Sequence, residues 1–436
     1  MKEGHRDRDR RSSWRKGRRR TLPFLLAALL LGCAAGATWW ILKSPDAEKG
    51  QEQTESPDAE EGQAEGSLQE QPGNPESKGE AAEGQTEKTE SEETVSEEKR
   101  IRQEARRLLD GMSLEEKAGQ MFIARCPEEE AAARAEQYQL GGYLLFARDF
   151  EEKTKEQAAE EIQSYQAVSR IPMLIGVDEE GGTVTRISRY PAFRSEPFAS
   201  SQELYQHGGF EAVAEDTLEK CELLKSLGVN VNFAPVCDVS ENPEDFIYER
   251  SFGQNAELTA EYVKTVVEAM EGQKVACVLK HFPGYGSNAD THTGIAYDSR
   301  PYEVFEASDF LPFRAGIEGG AQMVLVSHNI VSCMDGERPA SLSARVHEIL
   351  REELGFSGVI VTDDLAMDGI RDFTDDSSAA VLAVQAGNDL ICCTDFETQI
   401  PAVIAAVEAG TITEERIEES VLRILELKLS LGMMEE

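Results

Sequence analysis

Eight short apolar runs, separated by longer stretches with amphipathic helical periodicity, constrain the fold of this chain most. Each run is a nearly continuous block of apolar residues, which is typical of strands covered on both faces. Such strands alternating with helices predict a (β/α)8, TIM-like barrel. A doubly wound open sheet is disfavoured because no Gly-x-Gly-x-x-Gly turn follows any run. The predicted strands are 120–124, 142–147, 173–177, 230–236, 275–279, 323–326, 358–361 and 389–392.

Helix signals bracket this region. A capping box, in which Ser113 precedes Glu116 by three residues, predicts a helix start. At the other end, residues 413–431 have an apolar face and predict a final helix. No stretch remains for a second domain, so we predict that residues 99–436 form one barrel.

The first 42 residues predict a membrane anchor. Residues 1–20 contain ten Lys or Arg against three acids, and residues 21–42 are uncharged. The uncharged run is long enough to cross a bilayer core of about 30 Å, and Trp39 and Trp40 lie near its outer end. The basic flank predicts a cytoplasmic N-terminus with the rest of the chain outside the cell membrane. A cleaved signal peptide and a lipoprotein processed at Cys33 are the alternatives to this uncleaved signal anchor.

Residues 44–98 predict a disordered acidic linker. They contain eighteen acids, three bases and no aromatic residue, so they cannot bury enough apolar surface to offset the entropy of ordering. Residues 99–436 carry 30 basic and 61 acidic residues. This balance argues against nucleic acid or anionic lipid as a partner of the barrel.

The eight cysteines of the chain predict buried free thiols rather than disulfides. Cys237, Cys277, Cys392 and Cys393 all lie within apolar, strand-like runs. The Cys and His spacing does not resemble that of a zinc site. We therefore expect neither a metal ion nor a cofactor.

Polar side chains follow several predicted strands, where the barrel fold would gather them at one rim. We interpret Glu179, Glu180 and Asp364 as carboxylates that cap a following helix. Capping does not explain the lysine and histidines of the same rim. His328 is left open between lining the rim and a structural role. The rim residues are Asp178, Asp238, Lys280, His281, Ser327, His328, Asp363 and Asp364.

Residues 280–294, KHFPGYGSNADTHTG, join a strand end to a loop rich in glycine and small polar residues. Asp290 and His292 stand two positions apart near the tip of this loop. A carboxylate beside an imidazole can orient it for proton transfer. The pattern therefore favours a catalytic role over that of an ordinary surface loop.

The motifs in this order resemble glycoside hydrolase family 3, in particular its single-domain β-N-acetylhexosaminidases, across nearly all of residues 105–432. The resemblance implies a retaining, exo-acting enzyme that releases terminal GlcNAc from cell-wall fragments or other glycans. The motifs are MSLEEKAGQMF at 112–122, GVDEEGGTVTRI at 176–187, LGVNVNFAPVCDV at 227–239, ERSFG at 249–253, KHFPGYG at 280–286, DTH at 290–292 and GVIVTDDLAM at 358–367.

The resemblance also implies residue roles. Asp363 matches the nucleophile that forms a covalent glycosyl-enzyme, and His292, held by Asp290, matches the acid/base. The residues that match those binding the sugar are Asp178, Arg250, Lys280 and His281, with Arg186 in second rank.

Two departures from the family pattern leave the substrate preference open. Tyr285 stands where the family often has histidine, and Thr183 where arginine is common. The alternatives are a β-glucosidase of the same family and a catalytically inert surface protein that binds glycans. Phosphate, in place of water, also remains open as the acceptor.

Overall fold

The computed structural model describes residues 83–287, 294, 296–371, 373–374 and 378–434. The basic segment 1–20, the predicted anchor 21–42 and the first part of the predicted linker lie outside the described residues. So do Asp290 and His292, the predicted acid/base pair. Among the helices in the described ranges, none is both long and apolar enough to span a membrane.

Most strands of the described chain coincide with the predicted apolar runs, and their residues are almost entirely buried. Their bounds differ from the predicted ones by a few residues. The strands are β1 (Phe122–Arg125), β2 (Gly142–Leu145), β3 (Leu174–Val177), β4 (Val231–Asn232), β5 (Ala276–Phe282), β6 (Tyr297–Asp298), β7 (Met323–Val326), β8 (Ile330–Val331), β9 (Val359–Thr362) and β10 (Ile391–Cys393).

Within the described residues, eight of these strands form one parallel sheet in the order β10-β1-β2-β3-β4-β5-β7-β9. Leu390 joins the two ends of this sheet. Its amide donates to the carbonyl of Ile360 at 3.0 Å, and its carbonyl accepts from the amide of Thr362 at 3.1 Å. The sheet therefore closes on itself, which confirms the predicted (β/α)8 barrel. The short strands β6 and β8 pair separately.

Helices follow the strands and cover the outside of the barrel. They are α1 (Glu83–Leu109), α2 (Leu114–Gln120), α3 (Ala131–Tyr138), α4 (Lys155–Ala167), α5 (Ser201–Leu227), α6 (Ala256–Met270), α7 (Tyr302–Val304), α8 (Phe310–Glu318), α9 (Ala344–Glu348), α10 (Asp368–Arg371), α11 (Ala379–Ala386), α12 (Phe396–Glu408) and α13 (Glu414–Ser430).

Helix α1 begins at Glu83, within the segment predicted as the acidic linker, and continues to Leu109. The helix contacts α13, and it buries Ala105 and Leu109 near its end. Upstream of that contact, the segment is rich in Glu and Lys, which favour helices without burying apolar surface. Arg100 and Glu97 also form an ion pair three residues apart.

The predicted helix signals are confirmed. The Ser113 side chain accepts from the amide of Glu116 at 3.3 Å, and the Glu116 side chain accepts from the amide of Ser113 at 2.8 Å. This reciprocal cap starts α2. Helix α13 begins after Thr413, whose side chain accepts from the amide of Arg416 at 3.2 Å.

The cysteines in the described part of the chain are free thiols, and all but Cys333 are buried. This confirms the prediction for the four strand cysteines. Burial raises the pKa of Cys392 and Cys393 well above that of an ordinary thiol. These residues therefore behave as small apolar side chains of the core.

Candidate active site

Lys280, near the C-terminal end of β5, is a buried lysine between two carboxylates. Only 2% of its side chain is exposed. Its Nζ lies 2.7 Å from Asp178 Oδ1 and 2.5 Å from Glu180 Oε1. An unpaired ammonium is costly to bury, so the two acids account for a charged lysine in the barrel mouth.

Glu180 connects Lys280 to Arg250, and this role corrects its interpretation as a helix cap. Arg250 donates from Nε and Nη2 to the two carboxylate oxygens of Glu180, at 3.1 and 2.8 Å. Burial alone would raise the pKa of Glu180, but the charges of Lys280 and Arg250 outweigh burial and hold that pKa far below its usual value. The next helix, α5, begins only at Ser201, so Glu180 serves the site instead.

His281 is oriented by Asp238, which lies shortly after β4, the strand beside β5. The Nδ1 atom of His281 lies 2.7 Å from Asp238 Oδ2, and its Nε2 atom lies 3.2 Å from Arg250 Nη2. A guanidinium can only donate, so Nε2 accepts and Nδ1 carries the proton that is donated to Asp238. Asp238 also accepts from the amide of Tyr285 at 2.8 Å. One carboxylate thereby fixes both the tautomer of His281 and the loop after β5.

Glu179 does not cap a helix either. This fully buried carboxylate accepts from the amides of Arg186, Ile187 and Ser188, at 3.0, 2.8 and 3.3 Å. It therefore orders the loop after β3 and places Arg186 beside Asp178, with 3.7 Å between Nη2 and Oδ2. The wider spacing indicates a looser contact than that of Lys280.

Asp363 follows directly after β9, and its amide donates to the carbonyl of Val326 at 3.1 Å. Its Oδ1 accepts from the amide of Asp364 at 2.9 Å. Burial raises the pKa of the nearby Cys392 thiol, and the negative charges of Asp364, Asp363 and Asp178 raise it further. Asp363 and Asp178 directly follow the C-terminal ends of two parallel barrel strands, β9 and β3, so both lie at the same barrel mouth.

His328 has a structural role. It is fully buried, and its ring nitrogens lie 2.8 Å from Ser341 Oγ and 3.0 Å from the carbonyl oxygen of Asp364. The Asp364 side chain accepts from the amide of Ala366 at 2.9 Å. It thus caps the turn after β9, and burial raises its pKa. Both residues support the backbone that carries Asp363.

Arg300 anchors both ends of the loop that contains the predicted acid/base. It donates to Asp298 and Asp309 at 2.8 to 3.2 Å, and it approaches the carbonyl of Gly284 at 3.5 Å. A Cβ at Gly286 would lie 2.5 Å from the Arg300 guanidinium carbon. The residues before and after the loop are therefore held by one side chain. Burial raises the pKa of Asp309 to about 6, although Arg300 opposes the shift.

The structure thus brings together most of the predicted site. Asp178, Lys280, Arg250 and His281 form one chain of contacts, in which Glu180 links Lys280 to Arg250. Arg186 lies beside this chain, and Asp363 lies at the same mouth. Such an arrangement can bind a ligand rich in hydroxyl groups and present a carboxylate to it. Tyr285 is buried, with its ring 5.1 Å from that of His281, whereas Thr183 is exposed.

Reasoning from the sequence missed the roles of Glu179, Glu180 and Arg300. The two glutamates are the second and third residues after β3, a position where capping and ion pairing give the same sequence pattern. Arg300 lies outside the predicted strands. A signal was present for Glu180 alone, since Lys280 was predicted at the same rim and a cation there can pair with a nearby acid.

Comparisons with known proteins match this region. A family model described as the glycosyl hydrolase family 3 N terminal domain matches residues 113–427. A β-hexosaminidase of Nitrosomonas eutropha is 33% identical over 307 residues, which cover 66% of this chain and 85% of that protein. β-Hexosaminidase A of Pseudoalteromonas piscicida is 32% identical over 322 residues, or 67% of this chain and 54% of that protein. The chain therefore spans about half the length of the second relative.

Among solved structures, a family 3 β-N-acetylglucosaminidase from Paenibacillus sp. str. FPU-7 superposes with a TM-score of 0.68 at 33% identity. The match covers 74% of this chain and 63% of that one.

Proposed function

Because the chain belongs to glycosyl hydrolase family 3, we propose that it is a retaining, exo-acting β-N-acetylhexosaminidase that releases terminal GlcNAc from cell-wall fragments or other glycans. The convergence of Asp363 with the ion-paired Asp178, Lys280 and Arg250 at one barrel mouth carries the proposal. The names of the curated relatives and of the solved β-N-acetylglucosaminidase support this substrate over a β-glucoside.

In the proposed reaction, Asp178, Lys280, Arg250 and His281 bind the hydroxyl groups of the terminal sugar. Charged groups form stronger hydrogen bonds than neutral ones, and their own ion pairs hold them in place before the sugar arrives. The Asp363 carboxylate then attacks the anomeric carbon and forms a covalent glycosyl-enzyme.

We assign the proton transfers of the reaction to the loop after β5. His292, oriented by Asp290, donates a proton to the leaving oxygen as the glycosidic bond breaks. After the leaving group departs, the same imidazole takes a proton from water, which attacks the glycosyl-enzyme and frees both Asp363 and the sugar. The two inversions at the anomeric carbon retain its configuration.

The substrate proposal is tested with the full purified chain on 4-nitrophenyl β-N-acetylglucosaminide and 4-nitrophenyl β-glucoside. We expect turnover of the first, with the β-anomer of GlcNAc as the first product seen by NMR. Good turnover of the glucoside alone would assign the chain to the β-glucosidases. Asp363→Asn should abolish hydrolysis and retain sugar binding; a wild type as inert as this variant would favour a glycan-binding protein.

We also propose that residues 21–42 anchor the chain in the cell membrane, with the barrel outside and the acidic segment as a spacer. The uncharged run and its basic flank support this orientation. Protease added to intact cells should degrade the barrel. Survival of the barrel until the membrane is permeabilised would contradict the outward orientation.

A further inference from the structure

Arg125, the last residue of β1, points into the barrel mouth. A Cβ at Gly176 of β3 would lie 3.4 Å from Ile123 Cδ1 and 2.6 Å from Phe233. Strands β1 and β3 are not neighbours in the sheet, so the approach of Ile123 to Gly176 runs through the barrel interior. Successive side chains of a strand alternate between faces. Arg125 therefore faces inward, one level above Ile123.

Asp178 and Lys280 face inward at the same level. Asp178 follows Gly176 by two residues and keeps its direction. Lys280 of β5 reaches Asp178 directly, at 2.7 Å, although β4 lies between their strands. This contact therefore also runs across the mouth.

Asp363 faces inward by the same alternation. Ile123 pairs with Cys392 in the neighbouring strand, so Cys392 points inward, as does Leu390 two residues earlier. Leu390 pairs in turn with Val361. Asp363, two residues after Val361, thus shares the inward direction.

These four residues form one layer of the barrel. In a (β/α)8 barrel, alternate strands contribute the four side chains of each layer. Arg125, Asp178, Lys280 and Asp363 come from the first, third, fifth and seventh barrel strands. Three of them have roles in the proposed reaction, and Arg125 has none so far.

Arg125 differs from the other cations of the mouth because no carboxylate among the described residues lies within ion-pairing distance of its guanidinium. Its side chain forms no hydrogen bond and no ion pair with any residue that the structure describes, and its Nε is buried. Its guanidinium lies 4.4 Å from the ring centre of Phe146, and that of Arg186 lies 5.7 Å from the same ring. A half-buried cation without a partner costs folding free energy. The side chain is unpaired even though acidic residues are abundant in this chain, whose net charge is −38.

The backbone beyond Arg125 is fixed. Arg148 donates to the carbonyl of Cys126 at 2.5 Å and to Glu128 at 2.7 Å. The position of Arg125 is therefore set by the β1 ladder on one side and by this bridge on the other. The guanidinium is therefore presented to the mouth from a fixed backbone and packs against the Phe146 ring, which preorganises it for a ligand.

We propose that Arg125 and Phe146 form a subsite for a carboxylate on the saccharide that leaves, so that the enzyme prefers GlcNAc linked to an acidic sugar. The inference rests on the proposed function. Asp178, Lys280, Arg250 and His281 hold the terminal sugar on the third to fifth barrel strands, which leaves the first two strands for its neighbour. The planar guanidinium suits a carboxylate, and the aromatic ring offers an apolar surface to a sugar ring.

Two disaccharides that differ only at C6 of the leaving sugar test the subsite in the full chain. GlcNAc is β-1,4-linked to methyl glucuronide in one and to methyl glucoside in the other. Wild type should show the higher kcat/KM on the glucuronide, mainly through a lower KM. Arg125→Met should lower that kcat/KM at least tenfold and change the neutral substrate less than about twofold, as expected for a lost charge-assisted bond. Arg125→Lys should retain part of the preference.

Arg170→Met is the matched control, because it removes an exposed arginine before β3, at the opposite end of the barrel; its preference should equal that of wild type. Equal kcat/KM on the two substrates in wild type, or an equal loss on both in Arg125→Met, overturns the subsite. No turnover of either disaccharide or of the aryl glycoside refutes the proposed function instead. Calorimetry with methyl glucuronide then decides the subsite, because equal binding by wild type and Arg125→Met overturns it.

Discussion

Glu180→Gln should lower activity strongly, although the substitution hardly changes the size of the side chain. The wild-type carboxylate lies 2.5 Å from Lys280 Nζ and accepts two hydrogen bonds from Arg250. An amide of the same shape removes the negative charge between two buried cations. It also turns one acceptor into a donor that faces other donors.

The contacts set the magnitude of the loss. Removing one partner of a buried ion pair costs about 3–5 kcal/mol of stability. In the proposed site, Lys280 and Arg250 each donate a charge-assisted hydrogen bond to the sugar, worth about 1.5–3 kcal/mol. Displacing both would raise the barrier for kcat/KM by about 3–6 kcal/mol. This corresponds to a loss of roughly 10²- to 10⁴-fold.

The assay is kcat/KM on 4-nitrophenyl β-N-acetylglucosaminide, together with urea unfolding of the same preparations. Glu219→Gln is the matched control, because Glu219 forms a similar two-bond contact with Arg194, at 2.9 and 3.0 Å, on the surface. Surface pairs contribute less than about 1 kcal/mol, so this variant should resemble wild type in both measurements. A folded Glu180→Gln with kcat/KM within threefold of wild type would refute the proposed role of Glu180.

Three further predictions concern the supports of the site. Arg300→Met should slow hydrolysis of a phenyl glycoside at least tenfold more than that of a 2,4-dinitrophenyl glycoside, because the second leaving group needs no proton from His292; equal losses would count against the anchoring role. Asp238→Asn should lower kcat/KM by about 10- to 100-fold through loss of the charged acceptor of His281, and unchanged kinetics would contradict that orientation. Asp309 has a raised pKa of about 6 against 3.8, so the folded state binds its proton more tightly than the unfolded state. Wild-type stability relative to Asp309→Asn should therefore fall by about 2 kcal/mol as pH rises from 4 to 6, and a flat difference in urea unfolding would refute this.

The continuous apolar runs sufficed to predict the barrel. A strand covered on both faces has apolar residues at nearly every position, so it is easily recognised in the sequence. All eight predicted strands overlap strands of the sheet, and 323–326 matches β7 at both bounds. The residues at the rim of the barrel were predictable to the same extent, because the C-terminal ends of the strands determine which residues lie there. The contacts of each carboxylate at the rim were not predictable. Glu179, Glu180 and Asp364 all lie within three residues of a strand end, yet they bind loop amides, two cations and a turn, respectively.

Strand bounds matter for more than the fold, as Arg125 illustrates. The first predicted strand ended at Ala124 because a charged residue interrupts the apolar run, whereas β1 extends through Arg125. That one residue decides whether the side chain belongs to a loop or to the inward layer with Asp178, Lys280 and Asp363. In a barrel, the layer at the mouth is where polar residues replace apolar ones, so a polar residue that ends a strand run is still part of the strand. Counting two residues on from the last inward apolar position, Ile123 in this case, would have identified Arg125 from the sequence.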